Sequence, residues 1–105
     1  MIRHCVFFSF KTSASSREIE GLVAEFRGLT ESIALILDFE WGLNCSPEGL
    51  DRGHSHCFSL LFAGERERDA YLIHPAHQAF GLRAGPLLRE ALVFDYPIQG
   101  GRAGS

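Results

Sequence analysis

The sequence has no apolar run approaching the ~20 residues that a membrane-crossing helix needs, no cluster of basic residues, and no C-x-x-C pair. Each absence removes a class of function. Without the long apolar run, the chain is expected to be soluble, with no membrane as partner. Ten Lys and Arg stand against thirteen Asp and Glu, a net charge of −3, and the basic residues are scattered. Nucleic acid is therefore not expected as a partner, because its recognition begins with phosphates neutralised by clustered cations. The three cysteines, Cys5, Cys45 and Cys57, are odd in number and read as reduced thiols of a cytoplasmic protein. The opening segment is interrupted by Arg3, His4 and Ser9, which is too polar for a signal peptide. No internal repeat is present.

What is there suits one core. A chain of 105 residues that is 46% hydrophobic and 11% aromatic builds a single domain, read here as residues 1–98. Residues 99–105 read as a flexible Gly-rich tail with too little apolar surface to order itself. Ile2 to Phe10 alternates as a strand, with His4, Val6, Phe8 and Phe10 on one face and Arg3, Cys5, Phe7 and Ser9 on the other. Ser15-Ser16-Arg17-Glu18 forms a capping box, and Ile19, Leu22, Val23, Phe26 and Leu29 follow at helical spacing. A turn is expected over Thr30 to Ala34. A second strand is expected over Leu35 to Asn44, with Leu37, Phe39, Trp41 and Leu43 on its core face. A long loop then leads to a third strand, His54 to Phe62. Glu65 to Ile73 reads as a helix that His74-Pro75 interrupts. A new helix starts at once, with His74 at the cap and Pro75 in the first position, and runs towards Glu90 with an irregularity at Gly85-Pro86. Ala91 to Ile98 is the last strand.

The order strand, helix, strand, strand, helix, strand predicts an α+β, ferredoxin-like βαββαβ fold with four antiparallel strands and helices on one face. The central strands are apolar on both faces: Cys5 and Phe7 lie opposite Val6 and Phe8, and Cys57 and Leu61 opposite Phe58 and Leu60. Helices cover one face only. A second copy is the simplest cover for the other, which predicts a homodimer paired through its sheet faces into a dimeric α/β barrel.

Several segments together carry a family resemblance: Ile2-Arg3-His4 leading to Phe8-Ser9-Phe10-Lys11, Ser46-Pro47-Glu48-Gly49-Leu50 with Arg52-Gly53, and His56 opening the third strand. Tyr71-Leu72-Ile73-His74-Pro75-Ala76-His77, followed by Phe80 and Val93-Phe94-Asp95-Tyr96, matches most strongly. From Ile2 to about Pro97 the chain resembles the stress-responsive A/B barrel (Dabb) family. That resemblance implies the same fold and dimer. The family spans plant stress proteins, polyketide cyclases of the olivetolic acid cyclase type, and bacterial members without an assigned activity, so the fold alone selects no reaction.

In cyclase-type members a tyrosine and a histidine flanking the His-Pro break are implied to be catalytic, and those positions match Tyr71 and His77. At the start of a helix, amide dipoles favour the neutral imidazole of His77, a proton acceptor. Tyr71 would then hydrogen-bond a ketone or thioester oxygen while His77 takes a carbon-bound proton, with no cofactor. The plainer reading is a packed Tyr71 with His74 and His77 capping the helix. His4 and His56 each open a strand on the helix-facing side. If the first and third strands are antiparallel, the helix after the third returns towards His56, so His56 rather than His4 is expected beside Tyr71 and His77. His54-x-His56 and His74-x-x-His77 lack a completing carboxylate or cysteine, and no metal is expected. Where cyclase-type members can place a tyrosine hydroxyl, this chain has Phe26. Phe26, Val6, Phe8, Phe58 and Phe80 are candidates either for an apolar ligand wall or for filled core.

Three functions follow as expectations. One is a cofactor-independent enzyme or binder for a small, largely apolar carbonyl compound, with a cavity reaching Tyr71, His77 and His56. The second is a non-catalytic stress-responsive protein whose dimer or oligomer is the functional unit. The third is a relative of cofactor-free monooxygenases with dimeric barrels.

Overall fold

A computed structural model describes residues 1–101; most of the expected flexible tail, 102–105, lies outside the described residues. The elements are β1 (Ile2–Phe10), α1 (Ser16–Ser32), β2 (Asp38–Leu43), β3 (His56–Phe62), α2 (Glu65–Leu72), α3 (Pro75–Ala84), a 3₁₀ turn over Gly85–Leu87, and β4 (Leu88–Pro97). The strands form one antiparallel sheet in the order β2-β3-β1-β4. This is the expected ferredoxin-like arrangement.

The capping box forms as read. Ser15 Oγ accepts from the Glu18 amide, and Glu18 returns the bond to the Ser15 amide. The helix then presents Leu22, Val23, Phe26 and Leu29 to the sheet. Its last turn continues through Thr30 to Ser32, in place of the expected bend. Ile33 closes it by donating its amide to the Leu29 carbonyl and is itself buried. A buried apolar residue just past the helix overrides the turn preference of Thr-Glu-Ser.

Other details differ from the expectation: β2 is shorter, Asp38–Leu43, and β3 begins at His56 and not His54. Helix does not reach Glu90: Gly85-Pro86 ends it, and Leu88 to Glu90 already belong to β4. The expected strand face of β2 is core at Phe39 but not throughout. Trp41 and Leu43 are 41% and 62% exposed because β2 is an edge strand that α1 only partly overlies.

One core lies between helices and sheet. Phe26 stacks on Phe58 with ring centroids 4.5 Å apart and meets Phe80 at 4.6 Å, while Phe8 approaches Phe58 at 5.2 Å. Val6, Phe8, Phe26, Phe58 and Phe80 therefore pack against one another as core. On the opposite sheet face, Cys5, Phe7, Cys57 and Leu61 are only half-buried and Leu92 and Phe94 are exposed. No helix among the described residues is long and apolar enough to cross a membrane.

Register decides which strand residues meet the helices' functional groups. His4 lies opposite Leu60 on one side and Asp95 on the other, whereas His56 lies opposite Phe8. Four residues separate those two rungs, about 13 Å along the strand.

Candidate functional site

Tyr71 sits near the end of α2 and is fully buried. Its ring packs on Phe62 at 4.9 Å, on His4 at 5.7 Å and on His77 at 4.4 Å. Its hydroxyl is buried without a hydrogen-bond partner. An orphaned hydroxyl of this kind costs about 1–3 kcal/mol, so it marks a place where stability has been given up. Burial also pushes the phenol well above its usual range, so at neutral pH Tyr71 is a donor.

The helix break sets His77. His74 is the N-cap of α3, its Nδ1 accepting from the Ala76 amide at 3.1 Å, and Pro75 occupies the first turn without losing a hydrogen bond. His77 does not cap. Its Nδ1 lies 3.0 Å from the Leu72 carbonyl, the last turn of α2. A carbonyl only accepts, so in the neutral ring this contact places the proton on Nδ1 and leaves Nε2 with the lone pair.

His4 is governed in the same way by a different group. Its Nδ1 lies 2.6 Å from Asp95 Oδ1, and the other oxygen of Asp95 accepts from Arg68 Nη1 at 2.8 Å. The ring is almost wholly buried. Burial lowers its proton affinity most, the Asp95 charge and hydrogen bond oppose this, and His77 and Arg68 add to the lowering. Two imidazoles with Nδ1 fixed as donor thus flank one unpartnered phenol.

His56 does not belong to this group, contrary to expectation. Its ring stacks on Trp41 at 5.8 Å and 6° and meets Phe10 edge-on at 5.1 Å, with Nδ1 2.7 Å from Ser55 Oγ. The reason is length. The eight residues of α2 span about 12 Å, so α2 stops over Phe62 and His4 rather than returning along β3 to His56. His4 takes the place expected for His56. Tyr71, His77 and His56 are therefore not brought together around one cavity as expected. A depression of about 580 Å³ includes His56, Trp41, Leu50 and Leu92 but neither Tyr71 nor His77.

Asp95 and Arg68 carry no signal of this role in the sequence. Asp95 lies 91 positions beyond His4 and Arg68 is on a different element from both, and no local spacing announces such a contact. At the loop end of the sheet, His54 Nδ1 meets the Asp51 carbonyl at 2.8 Å. Its Nε2 lies 3.1 Å from Glu90 Oε2, but without hydrogen-bond alignment. Among the described residues no three His, Cys, Asp or Glu side chains converge as ligands for a metal.

Burial lowers the proton affinity of both His4 and His56. The unfolded chain takes up these protons near pH 6.5 while the folded one resists. Stability is therefore full above about pH 6.5 and falls as pH drops from there towards the lowered folded-state values. Urea midpoints at pH 7.5 and pH 5.5 are expected to show the loss, above the range where carboxylates titrate; equal midpoints would contradict it.

With this geometry in place, comparison with known proteins identifies the chain's class. Residues 2–98 match the Stress responsive A/B Barrel Domain, and the chain belongs to that family. It is 33% identical over 95 residues to the stress-response A/B barrel domain-containing protein HS1 of Arabidopsis thaliana, covering 90% of this chain and 87% of the relative. It is 25% identical over 95 residues to olivetolic acid cyclase of Cannabis sativa, covering 90% and 94%. A crystal structure from Arabidopsis thaliana superposes with a TM-score of 0.91 at 30% identity, covering 97% of this chain and 99% of the other. A dimeric ferredoxin-like protein from Jannaschia sp. shares the fold at TM-score 0.80 and 24% identity, covering 92% and 98%.

Proposed function

We propose that the protein is a homodimer that performs cofactor-independent acid–base chemistry on a small, largely apolar carbonyl compound at Tyr71 and His77. The observation that carries this reading is the buried, unpartnered Tyr71 hydroxyl beside a histidine whose tautomer is fixed. His77 Nε2 removes a proton from the carbon next to a carbonyl, and Tyr71 donates a hydrogen bond to the carbonyl oxygen as it gains charge. The enolate attacks a second carbonyl carbon, and the protonated His77 returns its proton to the alkoxide formed there. The step is an aldol-type closure and needs no redox partner. A relative named as a cyclase supports the choice of carbonyl chemistry.

The substrate approaches from the His77 side, where the ring is half-buried, because Phe26, Phe58 and Phe80 occupy the interior, and its binding has to uncover the Tyr71 hydroxyl, which is buried in the single chain. The second copy covers the sheet face that carries Phe7, Leu92 and Phe94. Dimeric proteins of the same fold support this pairing.

The test is a pair of variants. Tyr71→Phe is expected to raise stability by about 1 kcal/mol, since an unsatisfied buried hydroxyl is removed, and to lower conversion of poly-β-keto thioesters to cyclised product. His77→Ala is expected to lower that conversion by about 10²-fold or more. If folded wild type and His77→Ala leave the same product mixture as buffer alone, the catalytic reading falls. The closely packed Phe26, Phe58 and Phe80 rings then favour the second reading, a non-catalytic stress-responsive dimer.

A further inference from the structure

Arg68 is the centre of an ion cluster that runs from the exposed Glu65 and Asp69 to Asp95 beside the site. Its Nε donates to Asp69 Oδ1 at 2.8 Å, its Nη1 donates to Asp95 Oδ2 at 2.8 Å, and Nη2 lies 3.8 Å from Glu65 Oε1. Asp95 in turn holds His4 Nδ1 through its other oxygen. A carboxylate alone against a buried imidazole would do two things at once: orient the ring and draw a proton onto it. The second effect would fill Nε2 and end its use as an acceptor. A guanidinium on the far oxygen offsets the carboxylate's charge while leaving its hydrogen bond intact.

We propose that Arg68 is a positioning residue for His4: by pairing with the far oxygen of Asp95, it lets Asp95 orient the imidazole without charging it. His4 then presents an unprotonated Nε2 to the Tyr71–His77 site at neutral pH. The groups that face His4 are Asp95 on β4, Tyr71 and Arg68 on α2, and His77 on α3. Asp69 and Glu65 face only Arg68. Within that set, Asp95 is the sole negative charge on the ring and Arg68 the sole fixed positive one, so Arg68 offsets Asp95 on a ring whose proton affinity burial already lowers most. The electrostatics run in the same direction, with Arg68 lowering the proton affinity of His4 where Asp95 raises it. The purpose assigned to His4 rests on the acid–base reading of the site, but the chemistry of the ring is testable without any substrate.

The measurement is a pH titration of the ¹⁵N-histidine-labelled full chain by long-range imidazole NMR, with His4 assigned by loss of its signals in His4→Asn. Wild type is expected to show the Nδ1–H tautomer at neutral pH. Arg68→Met is expected to move the His4 titration midpoint upward, and Arg68→Lys, which keeps the charge, to restore it. Should Arg68→Met fail to fold, Arg68→Gln retains a donor for Asp95 without the charge and is read in the same way. A folded Met or Gln variant with the wild-type midpoint and tautomer would reduce Arg68 to a tether between α2 and β4 and overturn the proposal. A Lys variant that titrates like the Met variant would overturn it too, by assigning the effect to the guanidinium's shape instead of its charge. None of these outcomes depends on turnover, so loss of the catalytic reading and loss of this one are separately visible.

Discussion

Phe58→Ala is expected to lower stability by about 3–5 kcal/mol, measured as urea unfolding at fixed protein concentration. Phe58 is fully buried at the middle of β3. Its ring meets Phe26 at 4.5 Å, Phe8 at 5.2 Å, Trp41 at 6.1 Å, and Phe39 and His56 each at 6.2 Å, so five other rings lose a neighbour at once. Each aromatic pair adds about 0.5–1.5 kcal/mol beyond the area buried. The site is also poorly placed to collapse, because its neighbours sit on a strand on either side and on a helix above. Leu82→Ala, on the exposed side of α3, is the control and should stay within about 0.5 kcal/mol of wild type. A Phe58→Ala loss below about 1 kcal/mol would mean that the rings reorganise readily. The interior would then be open to an apolar ligand after all, which makes this stability measurement a test of substrate access as well.

Phe94→Asp is expected to convert the proposed dimer to monomer, with self-association weakened by at least about 10²-fold, or about 2.7 kcal/mol. Phe94 pairs across the sheet with Cys5, next to Leu92 paired with Phe7, on the face no helix covers. Phe94 and Leu92 are 61% and 52% exposed in the single chain, an apolar patch that water does not favour. A carboxylate at its centre must be desolvated on pairing. Size-exclusion chromatography with light scattering reads the mass directly. A variant that elutes as an intact dimer at micromolar concentration would place the interface elsewhere. Because Phe94 points away from His4 and Tyr71, the folded monomer also shows whether the site needs its partner.

The sequence is most informative where structure is written locally. The capping box at Ser15, the alternation of β1, the proline that starts α3 and the histidine that caps it are each decided by residues within one turn or one strand. The failures are equally physical. Alternation marks the faces of β2 but not that β2 lies at the sheet's edge, so it assigns Trp41 and Leu43 to core where the fold exposes them. Gly85-Pro86 signals a break without naming the element beyond it, and Leu88 to Glu90 join the strand. Tyr71 and His77 are legible from their motif, while the choice between His56 and His4 depends on how far α2 runs, a length that no residue in it announces. Asp95 and Arg68 carry ordinary surface chemistry in sequence and acquire a role only when the register of β1 against β4 brings Asp95 to His4 and α2 brings Arg68 to Asp95.

The same register also joins the two ends of the fold. Ile2 lies opposite Pro97, and the Ile98 amide bonds the Met1 carbonyl at 2.9 Å, so positions 1 and 98 share one corner of the molecule. His4 and Asp95 are only three residues from it. A short peptide bridge from 98 to 1 would leave the sheet untouched, with fresh ends opened in the exposed loop near Gly49, and so a circular permutant has the geometry it needs. The same closeness makes that corner a poor place for a fused tag, which would crowd the site from either end; the loop near Gly49, at the other end of the sheet, is the better point of attachment.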